Sequence, residues 1–86
     1  MQKYTPLRTQ FGQRVRHLRK LTKLSQEALA DKCGFVRSYM GKIETGLANP
    51  SIDAIQTLAD ALGVKPKALF DDEEAPVASP ESKQTA

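Results

Sequence analysis

The sequence predicts an all-α domain of five short helices followed by a disordered tail, and three observations carry that expectation. Apolar residues recur at helical spacing between residues 11 and 70. Capping residues and Gly or Pro breaks bound each apolar stripe. No period-2 run of useful length and no hairpin signal is present.

The first helix is expected to open at Thr5-Pro6, an N-cap followed by a residue that needs no N–H at the first helical position. Phe11, Val15 and Leu18 form its buried stripe, which leaves Arg14, Arg16, His17 and Lys20 to solvent. Ser25 caps a second helix that buries Leu29 and Cys33 and stops at Gly34, a residue suited to a left-handed C-terminal position. The third helix spans roughly Val36 to Thr45 and ends at Gly46. Only about three residues separate it from the second, which forces a helix-turn-helix corner. Asn49-Pro50-Ser51 breaks the chain and caps a fourth helix. Ile52, Ile55, Leu58, Ala59 and Leu62 form its apolar face, with Gly63 at its end. A fifth helix starting near Pro66 returns Leu69 and Phe70 to the core.

Residues 1–70 are read as one domain, because 86 residues are too few to fill two cores. Residues 71–86, DDEEAPVASPESKQTA, hold one sizeable apolar side chain and are expected to be disordered. Charge divides along the same line. Residues 1–70 carry twelve Lys/Arg against five Asp/Glu, a net of +7, and residues 71–86 carry one Lys against five acids, a net of −4. A body this basic attracts polyanions, nucleic acid foremost. No apolar stretch approaches the ~20 residues that cross a bilayer, and MQKYTPLRTQ lacks the apolar segment of a secretory signal. With a single cysteine and no signal, the cytoplasm is the expected location.

The third helix is the most informative segment. At 100° per residue Val36, Met40 and Ile43 fall on one side, and Arg37, Ser38, Gly41, Lys42 and Thr45 on the other. The outer face has no apolar side chain and no acid, which suits an approach to phosphates and to base edges in the major groove. Gly41 costs about 1 kcal/mol in a helix interior relative to Ala. Close approach to DNA and a tight helix crossing both account for it.

These segments together are recognisable. FGQRVRHLRK, LSQEALADKCG, RSYMGKIETG, NPSIDAIQTLADALGV and PKALF, in that order over residues 11–70, resemble the lambda-repressor-like (Cro/cI or XRE-type) helix-turn-helix family. The resemblance implies that Gln26 contacts phosphate and braces the recognition helix. It implies that Arg37, Ser38, Lys42 and Thr45 reach base edges or adjacent phosphates, and that Asn49 touches the backbone from the following loop. It also implies a partly buried ion pair, Arg19 with Glu44, tying the first helix to the end of the third. The sequence departs from the family pattern at Val36, where Ser or Thr is the usual N-cap, at Lys23, where glycine or asparagine is common, and at Lys65, which replaces a capping Ser.

The function that follows is a sequence-specific transcriptional regulator of double-stranded DNA. One recognition helix covers too few base pairs to be specific in a genome. Two copies about a two-fold axis, with helices about 34 Å apart, would read a palindrome. The resemblance places the homodimer contact on the fourth and fifth helices. The alternative is an antitoxin-like protein-interaction module of the same fold, with the acidic tail engaging a partner. No enzyme is expected, since there is one His, no Gly-rich phosphate loop and no nucleophile beside a base. Cys33 and His17 alone make no metal site, and no cofactor or small-molecule substrate is expected. Tyr39 is expected at the rim of the core.

Overall fold

A computed structural model describes residues 5–71. The tail expected to be disordered lies, apart from Asp71, outside the described residues. The described chain is α1 (Pro6–Leu21), α2 (Gln26–Cys33), α3 (Arg37–Glu44) and α4 (Ile52–Leu62), closed by a 3-10 helix at Pro66–Phe70. There are therefore four α-helices, and the expected fifth is a single 3-10 turn. Five residues closed by i→i+3 bonds, such as Ala68 N–H to Lys65 C=O at 2.9 Å, make a short connector for which that tighter geometry is ordinary. No strand occurs among the described residues.

Local chemistry sets the helix starts. The hydroxyls of Thr5, Ser25 and Ser51 accept bonds from Arg8 N–H at 3.3 Å, Ala28 N–H at 2.9 Å and Ala54 N–H at 3.0 Å. Each satisfies one donor that the first helical turn leaves open. Lys23, at the turn between α1 and α2, has φ of 64°. Its backbone takes a left-handed conformation that glycine enters without steric cost and that a Cβ disfavours.

Phe11, Val15, Leu18, Leu29, Ala30, Met40, Ile43, Leu58, Ala59, Leu62 and Leu69 form one contiguous core drawn from every element. α1 packs on α3 and on the 3-10 helix, and α2 packs on both α3 and α4. α1 crosses α3 at Gly12, where an added Cβ would sit 2.3 Å from Ile43 C=O and 2.8 Å from Glu44 C=O. Backbone meets backbone there, and only glycine fits.

Three expected core positions are displaced. Val36 is the N-cap of α3, not part of it, with extended φ −73° and ψ 151°, and it is 68% exposed. Its side chain therefore falls outside the helical phase that aligned it with Met40 and Ile43. Ile52 opens α4 and is 80% exposed, although Ala54 two residues on in the same turn is buried. Phe70 stacks on Phe11 with ring centroids 5.1 Å apart but stays 38% exposed at the edge of the core. Arg14, expected in solvent, is half-buried and donates from Nε to Ala68 C=O at 2.8 Å. Gln10 donates to Phe70 C=O at 3.1 Å, so α1 side chains hold two carbonyls of the 3-10 helix.

Candidate nucleic-acid interface

The corner between α2 and α3 is a turn of three residues, and α3 leaves it with one face buried and one exposed. Met40, Ile43 and Glu44 are buried, whereas Arg37, Ser38, Lys42 and Thr45 are exposed. The exposed face carries the cations of Arg37 and Lys42 and no carboxylate of its own.

Glu44, the only acid of α3, is neutralised from behind. Arg19 grips it as a fork, Nε to Oε2 at 2.7 Å and Nη2 to Oε1 at 3.1 Å, and its Nη1 donates to Leu24 C=O at 2.9 Å. The Glu44 side chain is 2% exposed and that of Arg19 11%. A buried charge is tolerated when it is paired and its remaining oxygen lone pairs are filled. Gln26 completes the set, donating from Nε2 to Glu44 Oε1 at 3.0 Å. The structure thus brings Gln26, Arg19 and Glu44 into one network that links α1, α2 and α3. Gln26 remains exposed at the first turn of α2, beside α3.

Gly41 lies under the Gln26 side chain. An added Cβ there would be 3.6 Å from Gln26 Oε1, an ordinary contact, and would meet nothing closer. No tight helix crossing therefore accounts for Gly41, and the crossing glycine is Gly12. Thr45 is the C-cap of α3 and turns its hydroxyl back to Gly41 C=O at 3.0 Å and Lys42 C=O at 3.3 Å. Asn49, with Thr5, Leu7, Arg8, Phe11, Pro50, Ile55 and Phe70, lines an open cleft of about 250 Å³ between the starts of α1 and α4. Tyr39 is half-buried and packs edge-on against Phe35, with ring centroids 5.0 Å apart.

Glu27 was not among the expected residues. Its carboxylate accepts from Arg37 Nη2 across the corner, and both side chains are well exposed, Arg37 at 70% and Glu27 at 53%. An acid in the first turn of α2 is all that the sequence shows, and it does not point to Arg37.

No group of three or more His, Cys, Asp or Glu side chains is placed to hold a metal among the described residues. Burial pushes the Cys33 thiol up from its ordinary pKa, against a smaller opposing pull from Lys32, so it is protonated and a poor nucleophile at neutral pH. No helix of the described chain is long and apolar enough to cross a membrane.

The geometry has close relatives. A family model described as a helix-turn-helix domain matches residues 10–72. The control protein C.BamHI of Bacillus amyloliquefaciens is 46% identical over 66 residues, 76% of this chain and 82% of that one. The crystal structure of the restriction-modification controller protein C.AhdI from Aeromonas hydrophila superposes with a TM-score of 0.71 at 48% identity, covering 72% of this chain and 94% of that one. The biofilm master regulator SinR of Bacillus subtilis, solved in complex with DNA, superposes with a TM-score of 0.67 at 37% identity, covering 71% of this chain and 98% of that one.

Proposed function

We propose, from the premise that this chain belongs to the helix-turn-helix family and is one of its sequence-specific DNA-binding transcriptional regulators, that two copies read a palindromic operator through α3. The observation that carries this reading is the division of α3. Its inner face is seated by Met40, Ile43 and the Arg19–Glu44 pair, and its outer face presents Arg37, Ser38 and Lys42 to solvent. A helix of this kind enters the major groove with its N-terminal residues toward the bases. Arg37 donates to guanine O6 and N7. Ser38 and Lys42 serve base edges or adjacent phosphates, Thr45 and Asn49 flanking phosphates, and Gln26 a phosphate from the start of α2. Gly41 lets the α3 backbone approach the DNA closely.

Dimerisation supplies the second half-site. Ile52 on α4 and Phe70 on the 3-10 helix are large apolar side chains left exposed, and both belong to the elements expected at the homodimer contact. Similarity to restriction-modification control proteins supports a control function exerted on DNA, with the cytoplasm as its place of action. Residues 1–70 form the DNA-binding unit in this reading, and residues 71–86 an acidic appendage.

The test is selection of bound duplexes from a random library, with the affinity of the winner measured at several salt concentrations. A palindromic winner bound at least ~10³-fold tighter than random duplex is expected. Arg37→Ala should relax one base position per half-site at a cost of about 1–3 kcal/mol. No enriched sequence, with only weak salt-sensitive binding, would overturn the operator reading and favour a protein-interaction module.

A further inference from the structure

The Arg37–Glu27 pair places a carboxylate where a DNA-binding surface has reason to avoid one. Glu27 stands in the first turn of α2 and Arg37 is the first residue of α3, so the pair bridges the corner at the end of α3 that enters the groove. Of the other acids of α2 and α3, Glu44 is buried and matched by Arg19 and Gln26, and Asp31 lies exposed one turn further along α2. Glu27 is exposed, and its charge reaches whatever approaches the corner.

We propose that Glu27 is a specificity-determining residue, which holds Arg37 to guanine and penalises DNA that offers only phosphate. The inference rests on the reading that Arg37 contacts bases. A guanidinium carries five N–H donors in a rigid fork, so Arg37 can keep Glu27 on one edge and meet O6 and N7 of guanine on another. On an operator the carboxylate stays matched and the arginine is held in orientation. On random DNA Arg37 must leave Glu27 to reach a phosphate, and the uncovered carboxylate then faces a polyanion. Like charges brought together in this way suppress wrong partners more than they weaken the right one.

The experiment uses the full chain, the duplex selected above and a scrambled duplex of the same composition. Glu27→Gln removes the charge and keeps the shape, and Glu27→Ala controls for new bonds from the amide. Both variants are expected to bind scrambled duplex about 3–10-fold tighter at low salt, with a salt slope steeper by about 1, as for one additional effective cation. Affinity for the selected duplex should change less than about twofold, so the specificity ratio falls. The thermal midpoint should move by no more than a few degrees, and a merely structural role would leave the specificity ratio unchanged. An unchanged or larger specificity ratio in both variants, while Arg37→Ala still relaxes its base position, overturns the role of Glu27 alone. An Arg37→Ala variant that keeps full base preference overturns the operator reading of Arg37 and this inference with it.

Discussion

Among the described residues, two arginine–glutamate pairs join helices, and their surroundings differ sharply. Arg19 and Glu44 meet at 2.7 Å with the carboxylate nearly sealed from water, and Gln26 and Leu24 C=O complete their bonding. Arg37 and Glu27 meet in the open. The first pair has been desolvated by folding, so removing one member strands a charge that water cannot reach. The second loses little when broken, because solvent and salt screen it. The same two side-chain types thus tie the scaffold together in one place and stand open to solvent in the other, and burial decides how much each contributes to stability.

Four substitutions break or sharpen that contrast. Glu44→Ala has the largest expected effect, a loss of about 3–5 kcal/mol of unfolding free energy read from urea denaturation, since it leaves Arg19 buried and unpaired. An unchanged midpoint would show that burial does not distinguish the pairs. Gly12→Ala comes next, because its new methyl group meets Ile43 C=O at 2.3 Å and α1 must lift off α3. A cost of about 1–3 kcal/mol is expected, with DNA affinity falling through misplacement of α3. Gly41→Ala is its counterpart on the outer face. There the methyl group has room, so thermal stability should rise by up to about 1 kcal/mol while operator affinity falls. A variant that is more stable and binds as well would remove the case for close DNA approach at Gly41. Smallest of all for the fold is Glu27→Gln, expected to shift stability by less than about 1 kcal/mol and to show itself only in DNA discrimination.

What the sequence could and could not foretell follows the range of each interaction. The caps at Thr5, Ser25 and Ser51 are legible because a hydroxyl reaches an N–H three residues on, whatever the rest of the chain does. The stripes in α1 and α2 are legible because helical phase alone aligns Phe11, Val15 and Leu18, or brings Leu29 into the core. Phase misleads at ends, and both Val36 and Ile52 stand at a helix start, where neighbouring turns are absent. It also assigns Arg14 to solvent, since its partner Ala68 lies 54 positions away. The outer face stands out in α3 because exclusion of acid and apolar groups is itself a pattern, and family resemblance connects it to Gln26, Arg19 and Glu44. Glu27 escapes both routes. Nothing in spacing or composition says that a surface acid at the start of one helix will meet the first arginine of the next.

Main-chain contact at Gly12 has a consequence for how such a protein diversifies. The position of α3 is set by carbonyls lying against α1 and by a buried carboxylate on its inner side, not by the groups it shows to solvent. Arg37, Ser38 and Lys42 carry none of that seating, so each can be exchanged without repacking the interior. On the proposed reading of α3, new operators are therefore reachable by single substitutions that leave folding intact.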